Sequence, residues 1–219
     1  MSIPGKLVDF SHQRIVVGNN PLNATDPTGR ETVTSCEGVQ AACRVTPQTG
    51  QTYSGGTPEE NLETANEAVA QSNADLTAQD GNEWGNVFEQ NADGSVTVSV
   101  SVSDGSSTSV TDGLNEIRDS TDNPVGDQHS HPGLPPGYSY QGGALSEGDV
   151  DTADILATEL GAFNRTIIDG PTGRVISFDG RAGSMVQDSD GSWQRDPSAP
   201  MTGSARIILR LSPIPYVQP

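Results

Sequence analysis

Basic residues are scarce in this chain: 11 Lys and Arg stand against 29 Asp and Glu, a formal net charge of -18. A nucleic-acid-binding face displaces counterions from phosphates and needs clustered cations. Nucleic acid is therefore disfavoured as substrate or partner, and the charge favours a basic partner or simply high solubility. Long apolar runs are also missing. No stretch approaches the roughly 18 apolar residues of a membrane span, and residues 1–10 lack the apolar run of a signal peptide. The expectation is a protein without a membrane span that depends on some other vehicle if it leaves its cell. Cysteine is limited to Cys36 and Cys43. Their spacing is not C-x-x-C, and no third or fourth thiol exists to complete a cysteine zinc site. A disulfide across a short loop and two free thiols both remain open. Hydrophobic residues make up 32% of the 219, with 25 Gly and 15 Pro, so the packed domain is smaller than the whole chain.

Three textures follow one another. Residues 1–30 are mixed. Residues 31–57 are polar, rich in Thr, Gln, Gly and Ser, and read as a flexible linker. From Pro58 the chain gains periodicity. Thr57-Pro58-Glu59-Glu60 has the form of a helix start, with a Thr cap, Pro in the first turn and acids at the positive end of the dipole. Leu62, Ala65, Val69 and Leu76 continue it to about Ala78. A strand over 83–89 and a turn at Asn91-Ala92-Asp93-Gly94 come next. Val96, Val98, Val100 and Val102 then alternate with Thr and Ser, the period of a half-buried strand. A short helix is expected around Leu114 to Arg118 in an otherwise loop-like stretch, then a strand leading into His129. A Pro/Gly/Tyr loop follows. Ser146-Glu147-Gly148-Asp149 opens another helix, with Val150, Ala153, Ile155, Leu156 and Leu160 as its apolar positions and Gly161 as its stop. Residues 164–169 and 174–179 read as a hairpin across Gly170-Pro171-Thr172-Gly173, and a last strand is expected over 205–211. No internal repeat is present.

The chemistry concentrates at Gln128-His129-Ser130-His131-Pro132. On a strand, residues two apart face the same side, so His129 and His131 can address one ion. A hydrolytic zinc site needs a third protein ligand and an open position for water. Asp149, at a helix start beyond the loop, is the expected third ligand, and Ser146 can donate a hydrogen bond into the same pocket. A carboxylate is wanted as general acid/base. Glu83, beside Trp84 and Gly85, is the first candidate and Glu89 the next. The plainer alternative is a solvent-exposed H-x-H pair and an Asp that only caps its helix.

His129-Ser130-His131-Pro132 followed by Ser146-Glu147-Gly148-Asp149 resembles the motif of JAMM (MPN-plus) metallopeptidases, in which a distant Glu precedes H-S/T-H-P and S-x-x-D. The resemblance covers roughly residues 58–180. It implies zinc on His129, His131 and Asp149, Glu83 as general acid/base, and Ser146 at the oxyanion. It also implies an α+β fold, a mixed central β-sheet flanked by helices, here with an extended N-terminal segment. The loop from His131 to Asp149, carrying Leu134, Pro135, Pro136, Tyr138 and Tyr140, is longer than the family's. It either shapes a substrate groove or points to another third ligand, for which Asp127, Asp151 and Asp154 are the alternatives.

Residues 18–29, Gly-Asn-Asn-Pro-Leu-Asn-Ala-Thr-Asp-Pro-Thr-Gly, resemble the end of the core of Rhs (YD-repeat) proteins, where the carrier cleaves itself before a variable C-terminal toxin. Pro21, Asp26, Pro27 and Gly29 match that junction, and Arg30 stands where the family usually has Leu. The two resemblances together imply a division into an Rhs tip (1–30), a linker (31–57) and a JAMM-like toxin domain (58–219). They imply a peptidase or isopeptidase acting on a protein inside a target cell, delivered by an Rhs cage and secretion machinery, and matched by a cognate immunity protein. The competing expectations are another metal-dependent hydrolase, such as a nuclease or deaminase, and a non-catalytic metal-binding module.

Overall fold

The computed structural model describes residues 32–138, 145–196, 198 and 205–218. The described residues form an α+β fold with a mixed central sheet and three helices. In chain order the elements are β1 (Ala42–Arg44), β2 (Thr52–Tyr53), α1 (Pro58–Asp80), β3 (Gly85–Gln90), β4 (Val96–Val98) and β5 (Ser101–Ser103). There follow α2 (Thr111–Asp119), β6 (Pro124–Ser130), α3 (Glu147–Leu160), β7 (Asn164–Asp169), β8 (Arg174–Asp179), β9 (Met185–Gln187), β10 (Trp193–Arg195) and β11 (Arg206–Arg210). The sheet runs β1-β5-β3-β6-β7-β8-β11, and the β2–β4 pair joins it through β3. β6 and β7 pair in parallel, and α3 makes the crossover between them. A separate β9–β10 hairpin completes the described strands.

Both long helices begin as their sequences require. Thr57 caps α1 in a capping box with Glu60, Pro58 occupies the first turn, and Gly81 ends the helix at φ 75°. Ser146 caps α3 in a second capping box, with Asp149 as its partner. Val110, the residue before α2, offers no side-chain cap. Asp104 takes that part from a distance, accepting from the backbone N–H groups of Asp112 (3.0 Å) and Gly113 (2.7 Å).

The face of α1 that meets the sheet is more polar than the expected stripe of Leu62, Ala65, Val69 and Leu76. Ala65 and Val69 are buried, but Asn61, Asn66, Asn73 and Thr77 are buried beside them. Asn61 donates to the Gly94 carbonyl (2.9 Å), and the other three meet the strand below. Asn73 donates to the Gln128 amide oxygen (3.2 Å), Gln128 donates to the Asn66 carbonyl (2.9 Å), and the Thr77 and Ser130 hydroxyls bond each other. Gln128 and Ser130 therefore face α1. By the two-residue period of the strand, Asp127 and His129 face the opposite layer, where α2 and α3 lie.

Two expectations need correction. The four valines at 96–102 do not share one face. Val96 and Val98 pack with Phe88 and α1, whereas Val100 and Val102 pack with Val87, Leu114 and Ile117 on the α2 side. The switch occurs at Ser99, whose hydroxyl accepts from the Val87 N–H (2.9 Å) and donates to the Val100 carbonyl (2.8 Å). The side chain takes one of the two ladder bonds there, while the Ser99 N–H still bonds the Val87 carbonyl (3.0 Å), and the alternation restarts out of phase. The polar stretch before Pro58 is also no flexible linker across residues 32–57. β1 pairs with β5, Gly50 N–H bonds the Val98 carbonyl (2.8 Å), and Thr32 donates to Glu89 (2.8 Å). Cys36 and Cys43 form a disulfide, with Cα atoms 5.5 Å apart, and pack on the α2-side cluster with Val33 and Val39. Backbone bonds, one cross-link and a few apolar anchors fix a segment whose composition reads as loop.

Candidate metal centre

Strand register assembles the site. Gly85 of β3 lies opposite His129 of β6, and the ladder continues one step further as Ser130 N–H bonds the Trp84 carbonyl (3.0 Å). Extended by two residues, that register sets Glu83 across from His131. β6 ends at Ser130, but the His131 N–H still bonds the Ile168 carbonyl of β7 (2.8 Å), so the extended geometry carries through the second histidine. The requirement for a small residue at position 85 is physical: a Cβ there would lie 2.5 Å from the Gln128 carbonyl oxygen and 3.1 Å from the His129 Cβ. Glu83 itself sits two residues before β3, its backbone N–H held by the Ser106 carbonyl (2.7 Å).

Glu83, His129 and His131 are all buried, and each offers a ligand atom within 4.8 Å of the others. This group could hold a metal ion. The imidazole rings stand 5.1 Å apart between centroids at 52°. Asp149, from the first turn of α3, reaches between them: His129 Nε2 lies 3.1 Å from Oδ1, and His131 Nε2 lies 3.6 Å from Oδ2. The histidines are thus not an exposed pair. They line a cavity of about 190 Å³ together with Glu83, Ser146, Asp149 and Arg165. A broader groove of about 720 Å³ runs beside it between α2 and α3, and the two share Thr111 and Thr152.

The two carboxylates differ in charge state. Burial pushes the Glu83 carboxyl up to about 7. His129 and Arg165 pull it down and Asp149 pushes it further up, but desolvation is the larger effect. Burial would raise Asp149 too. There the hydrogen bond from His129, the charges of His129 and His131 and the Ser146 hydroxyl outweigh it, holding the group well below the usual carboxylate range. One acid is kept ionised and the other is poised to exchange a proton near neutrality, the pattern by which acid–base pairs are assigned.

The donor set suits a metal ion. Two imidazoles and two carboxylates converge on one buried pocket, and the His129 Nδ1 is buried without a hydrogen-bond partner. Ser146 stands at the exposed rim. Its hydroxyl donates to Asp149 Oδ2 (2.7 Å) and accepts from the Asp149 N–H (3.1 Å), so in this arrangement it orients Asp149.

The alternative third ligands lie elsewhere. Asp151 and Asp154 are tied to Arg195 (2.5 and 3.0 Å), and Asp127 is held by Arg165 (2.8 and 2.6 Å) and Arg118 (3.1 Å). Glu89 is engaged by Thr32. Of the long 132–145 loop, residues 139–144, including Tyr140, lie outside the described residues, as do Pro21, Asp26, Pro27 and Gly29. Sequence reasoning missed Arg165 as part of the site. The available signal was the even spacing of Asp127 and His129 on one strand face, which calls for a buried cation opposite Asp127. Among the described residues, no helix is long and apolar enough to cross a membrane. Compared with known proteins, the chain matches no family model, no curated protein and no solved structure.

Proposed function

We propose that this chain is a zinc-dependent peptidase or isopeptidase of JAMM type, the toxin domain of an Rhs carrier, hydrolysing an amide bond in a target-cell protein. The observation that carries the reading is Glu83: a buried acid poised near pH 7 beside two convergent histidines and an ionised Asp149. Nitrogen and oxygen donors in this number suit zinc among common ions. Bound zinc supplies a Lewis acid and brings the pKa of a coordinated water to about 7. His129, His131 and Asp149 would hold it. Glu83 takes a proton from the attacking water and returns it to the leaving amine nitrogen, a role that requires a pKa near the working pH. The Ser146 hydroxyl, at the rim, stabilises the developing oxyanion by turning its proton from Asp149 toward the substrate.

The Rhs part of the proposal rests on Pro21, Asp26, Pro27 and Gly29, and brings with it a carrier cage, a secretion machine and an immunity protein. The test is metal analysis of purified protein together with expression of wild type, Glu83→Gln, His129→Ala and His131→Ala in the cytoplasm of a bacterium without an immunity protein. One zinc per chain is expected, with toxicity lost in all three folded variants. Absence of stoichiometric metal, with the histidine variants still toxic, refutes the reading. Chelator-sensitive degradation of nucleic acid by the purified domain would replace the peptidase with a nuclease.

A further inference from the structure

Asp127 lies two residues before His129 and shares its strand face, yet it is wholly buried and does not enter the cavity lining. Both its oxygens are used. Arg165 of β7 donates to it through Nε (2.8 Å) and Nη2 (2.6 Å), a two-pronged pairing, and Arg118 of α2 adds Nη2 (3.1 Å). Asp127 and Arg165 are direct partners in the parallel β6–β7 register, so the backbone itself sets this pair. With Nε and Nη2 committed, Arg165 presents Nη1 to Asp149 Oδ1 at 3.7 Å. Two buried arginines on one aspartate leave a positive charge in excess, and Asp149 is the acid placed to balance it. A buried charge without a partner is costly, so each member of the chain Asp127–Arg165–Asp149 holds the next.

We propose that Arg165, locked by Asp127, is a positioning residue that fixes the Asp149 carboxylate toward the histidine pair and thereby sets the affinity of the site for a divalent cation. The inference rests on the metal-site reading above. Its physical basis is that Asp149 belongs to α3, which is carried separately from β6. Ser146 fixes Oδ2 from within the same helix. Oδ1 meets β6 through His129 Nε2 (3.1 Å) and β7 through Arg165 Nη1 (3.7 Å); a cation bound to His129 would take over the first contact and leave Arg165 as the hold on Oδ1. A guanidinium near a cation also repels it, so the two effects must be separated by experiment. Lysine keeps the charge and loses the fork. A fall in affinity in Arg165→Lys therefore reports orientation.

The experiment is titration of the metal-free full chain with Co2+, followed by the visible ligand-field absorption, with circular dichroism and urea midpoints as folding controls. Wild type is expected to bind one Co2+. Arg165→Lys and Asp127→Asn are each expected to bind about 10- to 100-fold more weakly, the usual cost of losing a group that orients a metal ligand, with an altered absorption band. The double variant is expected to be no worse than the weaker single, because both break one device. Asp127→Asn decides the matter if the lysine variant does not fold. A purely structural Arg165 would lower the urea midpoint while leaving the Co2+ affinity and spectrum of the folded variants at wild-type values, and that result overturns the inference alone. Wild type that takes up no Co2+ overturns the metal reading and this inference with it.

Discussion

Glu83 provides the sharpest quantitative test. Its carboxyl is pushed from 4.5 to about 7 by burial. A folded-state pKa raised above the unfolded value means that the group stabilises the fold fully below the unfolded pKa, and that this contribution is lost as pH rises through the folded pKa. At about 1.4 kcal/mol for each pH unit between the two values, ionising Glu83 in the metal-free protein costs on the order of 3 kcal/mol. Glutamine is a near-isostere that never ionises. The stability difference between Glu83→Gln and wild type, measured by urea denaturation in the presence of a chelator, is expected to move in favour of the variant by about that amount between roughly pH 4.5 and pH 7.5. It should then flatten. Asp149, with its pKa held low, is common to both proteins and cancels. Saturating Zn2+ should raise the stability of both proteins, since His129, His131 and Asp149 are present in each and a ligand at about 100 times its Kd adds about 2.7 kcal/mol to a protein that binds it. A difference that stays flat with pH would show that Glu83 is solvated and ionised throughout, and the assignment of a proton-carrying role to it would fall.

The remaining expectations are local. Gly85→Ala should cost about 1–3 kcal/mol and weaken cation binding, because the new methyl meets the Gln128 carbonyl on the strand that carries His129; calorimetry with and without Zn2+ reads both. Replacing Cys36 and Cys43 with serine should cost about 2.5 kcal/mol, the loop-closure value for a seven-residue separation, seen as a lower urea midpoint with metal affinity retained. Thr57→Ala should cost about 1 kcal/mol by removing the α1 capping box, measured as a fall in the urea midpoint.

Helices, hairpins and the histidine-bearing strand were legible because each is governed by nearby residues. The caps at Thr57 and Ser146, the stop at Gly161 and the 164–179 hairpin fall where local chemistry places them. The valine run misleads for a local reason too, but one that needs a partner: Ser99 takes over a ladder bond only because Val87 stands opposite. The α1 face was misjudged because burial of Asn66 and Asn73 makes sense only with Gln128 across from them, 62 and 55 residues away in sequence. The order of strands around residues 32–57 depends on a disulfide and on backbone bonds, neither of which leaves a hydrophobic period. The site follows the same division. The two-residue spacing gave His129 and His131 a common face, whereas the convergence of Glu83 and Arg165 required the β3–β6 and β6–β7 registers.

Asp149 shows how two readings that looked exclusive become one device. As a capping residue it should bond its helix, and as a ligand it should face the histidines. Its two oxygens divide the work. Oδ2 accepts from the backbone N–H (3.0 Å) and hydroxyl (2.7 Å) of Ser146, and Oδ1 faces His129 and Arg165. The capping box therefore does more than start α3: it fixes one torsion of the carboxylate that the histidines need. Ser146→Ala should accordingly lower both helix stability, by about 1 kcal/mol, and affinity for a divalent cation. Ser146→Asp, which keeps a capping acceptor but cannot donate to Asp149, separates the two. It should recover much of the urea midpoint while leaving the Co2+ affinity low. Full recovery of both would mean that the cap alone orients Asp149, and that the hydroxyl proton has no part in the site.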